Sequence, residues 1–157
     1  MDRDEILAVL RAFEEADLEY VLIGAAAMGF HGIVRATEDL DLFIQDTVEN
    51  VERLKTAFRR VYDNDPNIDE ISAEDLLGEY PAIRYFPPSG DLYFDVLTRL
   101  GEEATYDDIE SQIIEVEDVR ARVATPKALY ELKRDTVRPL DGQDAEALRR
   151  AFDLGDE

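Results

Sequence analysis

The sequence contains no cysteine and no tryptophan, and it has a single histidine, His31. Without cysteine the chain can form neither a disulfide framework nor a thiolate zinc site, and it has no cysteine nucleophile. One histidine cannot supply a metal centre built from imidazoles. Any metal ion would therefore be held by oxygen ligands, which favours Mg²⁺, Mn²⁺ or Ca²⁺.

Positive charge is also scarce, since 17 Lys and Arg face 38 Asp and Glu and leave a formal net charge of −21. Such a surface repels nucleic acid over any large area, which argues against extensive electrostatic binding to DNA. Acidic surfaces of this kind occur in proteins that work at high salt, where screening removes the self-repulsion. The composition thus predicts a halophilic protein.

Long apolar runs are missing, because no window approaches the roughly 18 uncharged apolar residues of a membrane helix. The amino terminus interleaves acidic and apolar residues, unlike a signal peptide. We therefore expect a soluble, cytoplasmic protein without a membrane partner. A length of 157 residues with 45% hydrophobic content suits one buried core, and we expect a single domain over 1–157.

Helical and strand-like patterns alternate along the chain. Apolar spacing predicts helices over 2–16, 47–61 and a short one from 72, and another helix from Thr125, with a last helix beginning at Asp141. Strands are predicted over 20–23, 38–44, 82–86 and 91–97, and one or two short strands within 113–123. A glycine turn is predicted at Gly24 and a loop over 63–71.

Three aspartates form the sharpest pattern. Asp39 and Asp41 flank Leu40 on a predicted strand, so both carboxylates project from one face. Asp95 is the one charged residue in the apolar run 92–97. A divalent ion would relieve the repulsion among the three, and the Gly24 turn before a helix would offer N–H groups to a phosphate. The alternative is a solvated acidic face in a chain rich in acids.

These residues resemble the signature of the nucleotidyltransferase (polymerase beta-like) superfamily. The small pair Gly24-Ala25 is followed after 13 residues by Asp39-Leu40-Asp41-Leu42, and later by Phe94-Asp95-Val96. The form Arg-x-Thr-x-Asp-Leu-Asp over 35–41 resembles the AbiEii-type branch more narrowly. A late Lys133 followed by an Arg-x-x-Asp-x-x-Asp run over 138–144 is similar as well. The resemblance covers residues 20–148.

The resemblance implies an α/β (α+β) fold, a mixed β-sheet flanked by helices with further helices at the C-terminus. It implies transfer of a nucleoside monophosphate from an NTP to a hydroxyl acceptor, with Asp39, Asp41 and Asp95 as catalytic residues that hold two Mg²⁺ ions, or Mn²⁺ in their place. The residues implied in nucleotide binding are Gly24, Ala25, Arg35, Thr37, Lys133 and Asp144. For Asp144 the alternative is a favourable carboxylate in the first turn of a helix.

Several alternatives stay open at this level. The acceptor could be an RNA end such as that of tRNA, a protein or a small molecule. Ala25 stands where the family usually has Gly or Ser, so the chain could be an inactive nucleotide- or metal-binding module. It could also be a protein-interaction partner, such as a toxin with a cognate antitoxin.

Other features have an ordinary structural interpretation beside the functional one. Basic residues give the stretch 119–140 a surplus of positive charge, which suits a polyphosphate or an RNA end, or ion pairs with nearby acids. We expect His31 to be a packed or surface residue rather than a catalyst. We expect the aromatic residues near the hairpin to form core and cross-strand pairs, with base stacking by Tyr85 as the alternative.

Overall fold

The protein contains a six-stranded mixed sheet with helices packed on it. The computed structural model describes residues 3–31, 39–77, 82–88, 92–100 and 104–134. The α-helices are α1 (Arg3–Glu15), α2 (Gly24–Phe30), α3 (Val48–Val61), α4 (Ala73–Leu77) and α5 (Pro126–Arg134). The strands are β1 (Tyr20–Ile23), β2 (Asp39–Ile44), β3 (Ala82–Tyr85), β4 (Tyr93–Leu97), β5 (Arg99–Leu100), β6 (Ala104–Thr105), β7 (Ser111–Val116) and β8 (Val119–Ala124). Short 3₁₀ helices span Pro66–Glu70 and Tyr106–Asp108.

The strand order in the large sheet is β3-β4-β2-β1-β8-β7, and β5 pairs with β6 in a small separate ribbon. Strand β2 runs parallel to β4 and antiparallel to β1, while β1 runs parallel to β8. Antiparallel hairpin partners, β3 and β7, close the two edges. The predicted α/β (α+β) fold with a mixed sheet is confirmed.

Helices α1 and α3 pack together over one face of the sheet. Aromatic rings join the layers: the ring centroid of Phe58 on α3 lies 6.0 Å from that of Phe13 on α1 and 4.8 Å from that of Phe94 on β4. All three rings are fully buried. Because side chains alternate along a strand, burial of Phe94 on this face turns its neighbours Tyr93 and Asp95 to the other.

Thr47 caps α3 at the start that the sequence predicts, because its side chain accepts a hydrogen bond from the backbone N–H of Asn50 at 3.1 Å. Asn50 itself is fully buried. Its side chain accepts from the N–H of Glu19 at 2.8 Å and donates to the carbonyls of Glu19 and Gln45 at 2.9 and 3.0 Å. Asn50 therefore ties the start of β1 to the end of β2.

Two local predictions differ from the structure. The stretch 63–71 was expected to be a loop, but Asp65 caps a 3₁₀ helix there, since its side chain accepts from the N–H of Asn67. Gly24 is the first residue of α2 rather than a turn ahead of it. The prediction of one or two short strands within 113–123 is confirmed, since two strands lie there, and the first begins at Ser111. The helix predicted from Asp141 lies outside the described residues.

In the part of the chain that the structure describes, no helix has both the length and the apolar character needed to cross a membrane.

Candidate active site

One row of side chains crosses four neighbouring strands on the face of the sheet opposite α1 and α3. Asp41 on β2 is in register with Asp95 on the parallel strand β4 and with Ile23 at the end of β1. On its outer side, Asp95 is in register with Arg84 on β3. The row therefore brings together two acidic residues and one basic residue that are far apart in sequence.

The next row on the same face contains Asp39, which is in register with Tyr93. One carboxylate oxygen from each of Asp39, Asp41 and Asp95 lies within 4.8 Å of the others. All three residues are half-buried, whereas the intervening Leu40 and Phe94 are fully buried on the opposite face. The structure thus brings together the three aspartates that the sequence singled out.

Burial and the close approach of the three carboxyl groups raise the pKa of Asp41. Burial raises the pKa of its carboxyl group to about 8, and hydrogen bonding and charge repulsion from Asp39 and then Asp95 add to the increase. At neutral pH and without a cation the Asp41 carboxyl therefore keeps its proton. The three carboxylates repel one another when all are ionised, and a divalent cation among them would offset this repulsion. Carboxylate oxygens are also the ligands that a hard cation such as Mg²⁺ prefers.

Gly24 lies directly against this site. Its φ angle is +72°, a left-handed conformation that glycine adopts readily. A Cβ atom at this position would lie 2.9 Å from Cγ of Asp41 and closer still to its Oδ2. Glycine is therefore required here because α2 begins in contact with the Asp41 side chain. The sequence motif pointed to Gly24 through phosphate binding, and this second requirement was not foreseen.

Arg84 is a site residue that the sequence analysis missed. Its Nε donates to Oδ1 of Asp95 at 2.6 Å, and an Nη donates to Oδ2 at 3.5 Å. Its guanidinium carbon also lies 5.2 Å from the centroid of the Tyr93 ring. The pairing raises the pKa of Arg84, chiefly through the hydrogen bond to Asp95. The predicted hairpin put Arg84 on the strand beside Asp95, but its bounds of 82–86 and 91–97 would pair Arg84 with Tyr93, and the observed register pairs it with Asp95.

The other predicted nucleotide-binding residues are less fully placed. Ala25 lies in the first turn of α2, and Lys133 lies in the last turn of α5. Helix α5 contacts α2 and β8. Arg35, Thr37 and Asp144 lie outside the described residues.

Part of the basic stretch does not lie at the carboxylates. Arg120 and Arg122 on β8 line a cleft together with the acidic residues Glu14, Asp17 and Glu19. This cleft adjoins the start of β1, whereas the aspartates adjoin its end. For these two arginines the structure favours the interpretation that basic residues face nearby acids.

His31 is packed, as expected, because its Nε2 lies 2.8 Å from the carbonyl oxygen of Ala124. Base stacking by Tyr85 is wrong, since this residue is only 3% exposed and its hydroxyl donates to Oδ2 of the buried Asp65 at 2.8 Å. Of the two expected roles, a core position or a cross-strand pair, Phe86 has the second, since it is 58% exposed. The cross-strand aromatic pair is confirmed: Phe86 stacks on Tyr93 with a centroid distance of 5.1 Å.

One family model matches the chain. The family is described as nucleotidyl transferase AbiEii toxin, type IV toxin–antitoxin system, and its model matches residues 5–133. The matched range contains Gly24, the three aspartates and Lys133, and it ends before Asp144. No curated protein matches the chain. The family resemblance inferred from the sequence motifs is thereby confirmed.

Proposed function

The chain belongs to the AbiEii nucleotidyl transferase toxin family, and from this we propose that it is a Mg²⁺-dependent nucleotidyltransferase and the toxin of a toxin–antitoxin pair. The observation that carries the proposal is the convergence of Asp39, Asp41 and Asp95, whose carboxylate oxygens lie within 4.8 Å of one another. The reaction would transfer a nucleoside monophosphate from an NTP to a hydroxyl acceptor.

Asp39, Asp41 and Asp95 would hold Mg²⁺, with Mn²⁺ as a substitute and two ions as the proposed number. The proton retained by Asp41 supports this assignment, because a cation in the cluster would offset the repulsion that raises the pKa of this residue. When bound, Mg²⁺ would neutralise the phosphate oxygens and orient the triphosphate for in-line displacement.

Other groups of the protein would accept the proton and bind the triphosphate. Asp95 would accept the proton of the acceptor hydroxyl as its oxygen bonds to the α-phosphorus. The bond from the α-phosphorus to the bridging oxygen would break at the same centre, and pyrophosphate would leave. The backbone N–H groups of Gly24 and Ala25 and the ammonium group of Lys133 would bind the triphosphate. Arg35 and Thr37 would assist, and Asp144 would orient Lys133 or the acceptor.

Isothermal titration calorimetry tests the binding half of this proposal. ATP, CTP, GTP and UTP are titrated into the protein with Mg²⁺ and with EDTA, at low and at molar KCl. The test variant is Asp39→Asn/Asp41→Asn. The matched control is Asp46→Asn/Asp107→Asn, which changes net charge equally at two exposed positions outside the site. We expect Mg²⁺-dependent binding of at least one NTP that the test variant loses and the control keeps.

Labelled NTPs test the chemistry. Transfer of an α-³²P label to an acceptor, with a γ-³²P label recovered as pyrophosphate, is the expected result. A folded protein that binds no NTP under any of these conditions would overturn the proposal. NTP binding without label transfer to RNA, protein or small-molecule acceptors would instead identify a nucleotide-binding module. This outcome would agree with Ala25, which stands where the family usually has Gly or Ser.

The toxin role has its own test. Expression of the chain should arrest the growth of a host cell, and the Asp39→Asn/Asp41→Asn variant should not. Growth arrest that is equally strong with this variant would separate toxicity from the carboxylate site and contradict the proposal. Co-expression of a neighbouring gene that restores growth would identify the cognate antitoxin.

A further inference from the structure

A strip of planar groups lies beside the carboxylates on the same face of the sheet. Phe86 stacks on Tyr93 at an interplanar angle of 28°, and the guanidinium group of Arg84 lies over the same Tyr93 ring. Tyr93 is in register with Asp39, and Arg84 is bonded to Asp95. The strip Arg84–Tyr93–Phe86 is therefore continuous with the candidate active site.

Phe86 stands out within this strip because 58% of its surface is exposed. Its neighbour Tyr85, by contrast, is buried under α3, with its ring centroid 4.8 Å from that of Phe58. Alternation along the chain thus separates a core aromatic residue from a surface one. An exposed phenyl ring already held in place by stacking on Tyr93 offers a rigid platform at low entropic cost.

The platform borders a cleft along the outer edge of β3. The cleft has a volume of about 390 Å³, which is in the range of small-ligand sites. Its lining includes Arg84 and Phe86 from the hairpin and Asn67 and Glu70 from the 3₁₀ helix. It therefore combines a flat apolar surface, a cationic group and polar groups that could hydrogen-bond the edge of a ring.

We propose that this cleft is a nucleotide subsite, in which the base stacks on Phe86 and a phosphate is bound by Arg84. The inference rests on the proposed function, because a nucleotide bound there lies next to the carboxylates that would carry out the transfer. The nucleotide has two potential sources, the incoming NTP and a nucleotide at the end of the acceptor. Both present a planar ring next to a phosphate.

Arg84 suits the phosphate for two reasons. A guanidinium group has five N–H donors, of which two contact Asp95, so further donors remain for a phosphate. The net charge of −21 repels polyanions in general, so a local cation is needed wherever a phosphate approaches the aspartates. Arg84 supplies this charge in direct contact with Asp95.

Two binding assays on the full chain in Mg²⁺ distinguish the sources. Calorimetry measures NTP affinity, and fluorescence anisotropy measures the affinity for short labelled single-stranded oligoribonucleotides of each base. The variants are Phe86→Ala, Phe86→Leu, which keeps apolar volume without a ring, Phe86→Tyr, which restores the ring, and Arg84→Gln. The matched control is Ile113→Ala, which removes another exposed apolar side chain, 43% exposed on β7 at the far edge of the sheet.

We expect the affinity for one of the two ligands to fall by about tenfold in each of three variants, Phe86→Ala, Phe86→Leu and Arg84→Gln. Phe86→Tyr and Ile113→Ala should bind both ligands with the affinity of the wild type. A loss confined to the oligoribonucleotide assigns the subsite to the acceptor, and a loss confined to the NTP assigns it to the incoming base. Equal affinity of wild type and the ring-less variants in both assays overturns the subsite while leaving Mg²⁺-dependent NTP binding intact. Failure of the wild type to bind either ligand overturns the proposed function together with the subsite.

Discussion

Substitution of Gly24 by alanine tests the contact between α2 and the carboxylate site. The alanine would have to adopt a φ of +72°, and its Cβ would lie 2.9 Å from Cγ of Asp41. The left-handed conformation costs about 1 to 2 kcal/mol for a residue with a Cβ. Overpacking against Asp41 costs about 1 to 3 kcal/mol more. We therefore expect Gly24→Ala to lower the free energy of unfolding by about 2 to 5 kcal/mol in total.

Because the collision is with a side chain that we propose as a Mg²⁺ ligand, Gly24→Ala should also weaken Mg²⁺ binding, by at least about tenfold if the displacement of Asp41 costs more than about 1.4 kcal/mol. Urea denaturation in EDTA measures the stability, and calorimetry with Mg²⁺ measures the affinity. Gly29→Ala is the matched control, since it is a second glycine in α2 and a Cβ there would meet nothing within 4 Å. This control should be neutral or up to about 1 kcal/mol more stable.

A double-mutant cycle separates the two contributions. Asp41→Ala removes Cγ and both carboxylate oxygens, so adding Gly24→Ala to it should cost less than in the wild type, with a coupling energy of about 1 to 3 kcal/mol. The backbone contribution should remain. If Gly24→Ala is as stable as the wild type and binds Mg²⁺ equally well, the close approach of α2 to Asp41 does not exist and the reasoning is refuted.

Three further predictions concern pH, a buried amide and salt. In EDTA the folded chain retains a proton on Asp41 between the ordinary carboxyl pKa of 3.8 and about 8, so its free energy of unfolding should fall as pH rises through this window, by at most about 1.4 kcal/mol per pH unit. Urea denaturation across this range should show a shallower fall for Asp41→Asn, and parallel curves for both proteins would contradict the assigned pKa. Asn50→Ala should lower the free energy of unfolding by about 2 to 4 kcal/mol, because it removes three buried hydrogen bonds to Glu19 and Gln45. A loss below about 1 kcal/mol in urea denaturation would show that these bonds do not hold β1 and β2 together. Because the net charge is −21, the urea midpoint should rise between about 0.1 and 1 M KCl, where the screening length shortens from about 10 to 3 Å, whereas a midpoint that stays constant would argue against a halophilic protein.

Local periodicity was enough to predict much of the site. The alternation of Asp39 and Asp41 with Leu40 places both carboxylates on one face in any strand, whatever the strand pairs with. The capping residues Thr47 and Thr125 likewise act on N–H groups within the next few residues: Thr47 accepts from Asn50 and Thr125 from Ala128. Such features depend on the chain within one turn or one strand, so a single sequence contains them.

The sequence by itself thus determined which residues to propose for the chemistry, namely three aspartates on predicted strands and a glycine that follows a strand. Only the tertiary structure decided how they meet, because register between strands distant in the chain depends on the order of the whole sheet. The pairing of β2 with β4 sets Asp41 against Asp95, the hairpin register sets Arg84 on Asp95, and the packing of α3 buries Tyr85 while Phe86 faces solvent. The physical reason is that these contacts join segments through space, and their geometry is set by packing rather than by spacing along the chain.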